Sequence, residues 1–226
     1  MPHDARYREQ LAYLYERSPF YRAKLTAAGF PDARSAGGLE ANGRLPLTEK
    51  AEIRATTTAE NPVGAHLCAT PGEIVRIYST SGTTGTPSFI PLTATDLENW
   101  ITTSARSYAA SGIARGQKIV TTYNAGPFAA GAALAAFDRI GLCHVPVGTG
   151  NTERLMQVIT LLRPDAAVLT PSYAAYAAEW AAEHGVDLPG SSVRESQKTL
   201  PPLTIFTIES RTWNEVRLPA TRTQAL

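Results

Sequence analysis

The stretch Lys118-Ile119-Val120-Thr121-Thr122-Tyr123 begins a run in which short apolar segments alternate with longer amphipathic ones. Phe128–Ile140 follows with helical spacing, then Leu142–Val147 as a strand and Thr152–Leu162 as a helix. Ala166–Thr170 is a third strand and Ser172–His184 a third helix. Strands of this length alternating with helices predict an α/β fold, a parallel sheet built from right-handed βαβ units. In such sheets ligands sit beyond the carboxyl ends of the strands. Tyr123-Asn124-Ala125-Gly126, Gly148-Thr149-Gly150-Asn151 and Pro171-Ser172-Tyr173 fall at those ends, so the substrate is expected there.

Upstream lies Tyr78-Ser79-Thr80-Ser81-Gly82-Thr83-Thr84-Gly85-Thr86-Pro87-Ser88. It follows Ile74–Tyr78, a β-branched strand pattern, and leads into Phe89-Ile90-Pro91-Leu92, a return strand. The glycines permit tight backbone and Pro87 removes a donor, so the run is a loop. Two readings stay open: hydroxyls and backbone N–H groups converging on an anion such as a phosphate chain, or a polar turn between two strands. The spacing is not that of a Walker loop, whose lysine is absent.

Nearer the N-terminus, Leu11, Leu14 and Tyr15 are at helical spacing within Arg6–Glu16. Ser18-Pro19 is a cap followed by a first-turn proline, which predicts a second helix from Pro19 to Ala28, ended by Gly29. Gly37–Asn42 is expected as a loop and Leu45-Pro46-Leu47 as extended chain. Thr48 is expected to cap a short helix through Arg54, with irregular chain from Thr56 to Gly72. Beyond the return strand, Thr93 or Thr95 caps a helix from Asp96 to Ala110 that buries Leu97, Trp100 and Ile101.

With 226 residues, 43% hydrophobic and 18% charged, the chain has ample apolar material for a core. A net charge of +1 supplies no basic field for nucleic acid or an anionic membrane. The alanine-rich runs Ala129–Phe137 and Ala174–Ala182 are too short to span a bilayer, and the N-terminus carries no secretory pattern. Cys68 and Cys143 have no C-x-x-C partner, so both are expected as reduced, buried thiols in a cytoplasmic protein. His3, His66, His144 and His184 lack metal-ligand spacing, and no metal site is expected from side chains.

The order Ser79-Thr80-Ser81-Gly82-Thr83-Thr84-Gly85-x-Pro87 resembles the phosphate loop of the adenylate-forming enzymes, and most nearly that of the phenylacetate–CoA ligase type. Pro19-Phe20-Tyr21-Arg22, Leu45-Pro46-Leu47-Thr48-Glu49-Lys50, Gly150-Asn151-Thr152-Glu153-Arg154 and Thr170-Pro171-Ser172-Tyr173 match the same branch in the same order. The resemblance implies adenylation of an aryl or acyl carboxylate by ATP with Mg²⁺, then transfer of the acyl group to coenzyme A. It implies that Thr80, Ser81, Gly82, Thr83, Thr84 and Gly85 bind the ATP phosphates. Many relatives carry a lysine beside the proline; here Thr86 and Ser88 stand there, which implies weaker nucleotide binding. Tyr123, Gly126, Pro127 and Phe128 look like the segment lining the acyl or aryl pocket, although Phe128 reads equally well as a core residue at a helix start. Asn151, Thr152 and Tyr173 are expected at the cleft rim; a plain helix cap and a core tyrosine are the competing accounts.

The resemblance runs to about Arg194. It divides the chain into a helical and irregular segment (1–72), part of a large adenylate-forming domain (73–194) and an irregular tail (195–226), read as a frameshift or truncation or as a divergent terminus. The family's adenine-binding segment, magnesium-binding glutamate and catalytic lysine have no counterpart in Glu195–Leu226, so no catalytic residue is assigned. The expectation is a chain inactive alone, either half of a split ligase or a non-catalytic interaction module. Its partners would be the small-molecule acid and either a complementary C-terminal half or a second copy.

Overall fold

The computed structural model describes residues 2–80, 87–123, 130–188, 190–191 and 193. Ser81, Gly82, Thr83, Thr84 and Gly85 of the loop, Gly126, Pro127 and Phe128 of the expected pocket, and the tail 195–226 lie outside the described residues. The chain forms two compact units that divide between Leu97 and Glu98.

In the first unit, α1 (Pro2–Arg17) and α2 (Pro19–Ala27) gather around Leu11, Leu25, Phe30 and Ala36, with Tyr7, Tyr15 and Tyr21 packed alongside. Ser18 caps α2 as expected: its Oγ accepts from the Tyr21 N–H at 3.3 Å, and the residue is fully buried. Two local expectations fail. Leu39–Arg44 is a 3₁₀ helix where a loop was expected, because the Asp4 carboxylate accepts the Leu39 N–H at 2.8 Å and caps its start. The short helix α3 (Lys50–Ala55) is capped by Glu49 and not by Thr48. Glu49 and Glu52 form a reciprocal capping box, and Glu52 also holds Lys24 at 2.5 Å.

Strand β1 (Ile74–Ser79) pairs antiparallel with β2 (Phe89–Thr93), Ile77 opposite Pro91 and Ser79 opposite Phe89. Tyr78 and Leu92 are buried on one face of this hairpin, while Val75, Ile77 and Phe89 are exposed on the other. Thr93 caps the helix α4 (Ala94–Ala110), accepting the Asp96 N–H at 3.2 Å while Asp96 accepts the Thr93 N–H.

The second unit contains the parallel sheet. Its strands are β3 (Lys118–Thr121), β4 (Cys143–Pro146) and β5 (Ala166–Val168), with β3 central in the order β4-β3-β5. Both pairings are parallel, as the alternation predicts. The helices are α5 (Ala130–Ile140), α6 (Thr152–Leu162) and α7 (Pro171–Glu183). Successive strand residues point to opposite faces, and the two cores divide accordingly. Ile119, Ala166 and Val168 pack with Tyr108 of α4 and Phe137 of α5, while Val120, Ala167 and Leu169 pack with α6 and α7. The sheet is therefore covered by helices on both sides, which explains why its strands read as continuous apolar runs. On α4 the fully buried residue is Tyr108; Leu97, Trp100 and Ile101 are half-buried.

Both cysteines are free, but Cys143 is exposed at the start of the edge strand β4 and Cys68 is half-buried. The expectation of buried thiols fails for Cys143, which begins a strand that is at the sheet edge among the described residues. His144 is packed, as its place in a strand suggests: its ring meets Phe137 edge-on at 5.0 Å, and Nε2 lies 2.9 Å from Thr121 Oγ1.

Burial pushes the imidazoles of His66 and His144 below the ordinary histidine range; at His144 the Asp138 carboxylate opposes this. A base whose folded pKa is depressed destabilises the fold when it must take up a proton. The unfolded chain then binds more protons, and stability falls as pH drops below about 6.5. The urea midpoint should fall between pH 7.5 and pH 5.5, with the loss reduced in the His66→Gln/His144→Gln variant. Equal midpoints at the two pH values would refute this.

Candidate functional site

Two places carry site chemistry, one in each unit. In the first, β1 and β2 deliver the ends of the hydroxyl-rich loop. The Thr80 N–H donates to the Ser88 carbonyl at 2.9 Å, and the Ser88 N–H donates to Thr80 Oγ1 at 3.0 Å. Thr80, expected as a phosphate ligand, therefore also closes the base of the loop; its hydroxyl accepts one bond and keeps its own proton to donate. Ser88 Oγ is buried without a hydrogen-bond partner among the described residues. An orphaned hydroxyl costs free energy unless a ligand or water meets it, so the donor chemistry here fits an anion.

In the second unit, a cavity of about 200 Å³ opens at the carboxyl ends of all three parallel strands, lined by Thr122, Tyr123, Thr149, Gly150, Thr170 and Tyr173. Each strand contributes its following loop: Thr122 and Tyr123 after β3, Thr149 and Gly150 after β4, and Thr170 after β5. The β4–α6 loop turns through left-handed backbone at Gly148 (φ +82°) and Gly150 (φ +78°), conformations that glycine adopts without a steric penalty. Pro171 begins α7 at its first turn and so places Tyr173 over the cavity. Burial raises the phenol of Tyr123 above the ordinary tyrosine range, so it stays protonated at neutral pH.

Of the residues singled out in the sequence, Tyr123 and Tyr173 line this cavity. Asn151 and Thr152 are not among the lining residues. Asn151 Oδ1 accepts the Arg154 N–H at 2.8 Å, so it acts as the cap of α6, and Thr152 Oγ1 lies 3.0 Å from the Tyr173 hydroxyl. Glu153 takes its hydrogen bond from Gln157, one turn along. Tyr173 both lines the cavity and packs against the α6–α7 core. Thr122 was not singled out, and Thr149 and Thr170 were named only within the stretches Gly148–Asn151 and Thr170–Tyr173. Their signal was positional: each is a hydroxyl within three residues of a strand's carboxyl end. Among the described residues no group of three or more His, Cys, Asp or Glu side chains could hold a metal ion. No helix among them is long and apolar enough to cross a membrane.

Comparison with known proteins agrees with this architecture. A phenylacetate–coenzyme A ligase of Thermus thermophilus is 38% identical over 185 residues, covering 81% of this chain. The ligases of the same name from Pseudomonas putida and Escherichia coli are 32% and 34% identical, over 80% and 72% of the chain. Two solved structures of a 2-hydroxyisobutyryl-CoA ligase, both in complex with 2-HIB-AMP and CoA, also resemble it. The thioesterification state gives a TM-score of 0.78 at 29% identity, covering 84% of this chain and 41% of that one. The open conformation gives 0.75 at 28% identity, covering 82% and 40%. No family model matches the chain. The parallel sheet with its loop-built cavity and these similarities make the chain a member of the adenylate-forming acyl-CoA ligases. Within them it belongs to the phenylacetate–CoA ligase type. It spans 40% of the length of the Thermus and Pseudomonas relatives and 36% of the Escherichia coli one.

Proposed function

We propose that this chain supplies the phosphate loop and part of the acid pocket of an ATP-dependent acid–thiol ligase. The observation that carries this is the cavity where the three parallel strands end, within the region shared with the ligases. In the proposed reaction a carboxylate oxygen attacks the α-phosphorus of ATP and pyrophosphate leaves. The coenzyme A thiol then displaces AMP from the acyl adenylate. Thr80, Ser81, Gly82, Thr83, Thr84 and Gly85 bind the departing phosphates through hydroxyl and backbone donors; a Mg²⁺ ion bound with the nucleotide would neutralise part of their charge. Tyr123, Gly126, Pro127 and Phe128, with Tyr173, surround the acid. We read residues 73–194 as the ligase segment and 1–72 as its helical lead-in. The free cysteines accord with a reducing compartment such as the cytoplasm.

We propose further that these 226 residues do not turn over alone, since they span 40% of the length of the Thermus relative. The test is pyrophosphate release with ATP, Mg²⁺ and a panel of aryl and acyl acids. The chain is assayed alone and mixed with the part of the Thermus relative that lies beyond the shared region. Silence alone and release in the mixture are expected, with at least about a hundredfold loss for Gly82→Val, which blocks close approach of the backbone. Release by the chain alone would overturn the need for a complement. A silent mixture, with the intact relative active in the same assay, would overturn the ligase reading and favour a non-catalytic interaction module.

A further inference from the structure

Tyr173 lines the cavity and is held by a residue outside its wall. It stands in the first turn of α7, and its hydroxyl lies 3.0 Å from Oγ1 of Thr152, the first residue of α6. The pair is 21 residues apart in sequence and ties the starts of the two helices together. Both helices are anchored by the same core, through Leu155, Met156 and Ile159 on one and Ala174, Ala177 and Ala181 on the other. A tilted contact with Tyr176, with ring centroids 6.1 Å apart, flanks the Tyr173 ring. With its hydroxyl engaged by Thr152, Tyr173 offers the cavity a ring held in one position. A ring held in this way limits the size and shape of what the cavity admits.

On the reading of this cavity as the acid site, we propose that Thr152 is a positioning residue that sets acid size, by holding the Tyr173 ring across the pocket. At protein packing density a cavity of about 200 Å³ takes about 150 Å³ of ligand atoms. That is enough for one small ring or a short branched tail. Each methylene that does not fit a rigid pocket costs about tenfold or more in selectivity. Releasing the ring should therefore admit longer acids without improving binding of the shortest.

The 226-residue chain can be tested directly by ligand-observed NMR titration with phenylacetate, 3-phenylpropionate and 4-phenylbutyrate. The wild-type chain should favour phenylacetate over 4-phenylbutyrate by about tenfold or more. Thr152→Val, which keeps the shape but removes the hydroxyl, should narrow that ratio to about threefold or less, and Thr152→Ser should restore it. Tyr173→Ala should abolish the size preference, and Tyr173→Phe should behave like Thr152→Val. If acids bind but Tyr173→Ala leaves their affinities unchanged, the cavity is not the acid site and the functional reading fails, as it does if none of the acids binds. If Tyr173→Ala changes the ratio but Thr152→Val does not, the acid site stands and the role of Thr152 is overturned. Thermal unfolding of each variant separates a lost fold from a lost preference, because a merely structural contact would lower affinity for all three acids equally.

Discussion

Replacing Phe137 by alanine should cost about 3–5 kcal/mol of folding stability, the range for removing a fully buried aromatic ring. Phe137 has no exposed surface and lies at the centre of the layer formed by α4, α5 and one face of the sheet. Its ring is 4.9 Å from that of Tyr108 and 5.0 Å from that of His144. Truncation leaves a ring-sized void between two further rings and the apolar side of β3, and backbones fixed by parallel pairing cannot collapse into it. The check is urea unfolding followed by tyrosine and tryptophan fluorescence. A loss below about 1 kcal/mol would show that the layer is looser than its burial implies.

On the opposite face of the sheet, Leu155→Ala should cost about 2–5 kcal/mol. Leu155 is fully buried on α6, in the cluster with Met156, Ile159 and the alanines of α7. The small side chains of α7 let the two helices approach closely, so little is available nearby to fill the gap. The same helix provides the control. Leu161 is 77% exposed, and its replacement by alanine should change stability by less than about 0.5 kcal/mol. Equal effects at the two positions would contradict the observed orientation of α6. Because Asn151 and Thr152 begin this helix beside the cavity, Leu155→Ala should also weaken acid binding, whereas Leu161→Ala should not.

The elements of the second unit were legible because each has a strong local cause. Thr152–Leu162 was expected to its end residues, since its apolar positions recur at helical spacing behind an asparagine cap. The three strands were found as β-branched or alanine-rich apolar runs, although each pairs over fewer residues than its run suggests. The sequence pattern extends past Thr121, Pro146 and Val168, while the paired strands end at those residues. The cavity is lined from just beyond those ends. The two missed details in the first unit, the 3₁₀ turn at Leu39–Arg44 and the cap at Glu49, arise from contacts with Asp4 and Glu52. A reading of local propensity alone does not register the first of these, since Asp4 is 35 residues away.

Periodicity and capping residues are local properties of the chain, and they were enough to specify an α/β fold with parallel strands and to point to the strand ends as the place for a ligand. The order of Ser79–Pro87 and four further motifs was enough to specify the ligase family. Folding alone decided which side chains meet: that Thr152 holds Tyr173 and does not line the pocket, that Thr122, Thr149 and Thr170 share one cavity, and that Thr80 closes the base of its loop against Ser88. These pairings join residues 8 to about 50 positions apart in the chain. They follow from the strand order β4-β3-β5 and from the crossing of helices over the sheet, which no local pattern of apolar and polar residues encodes.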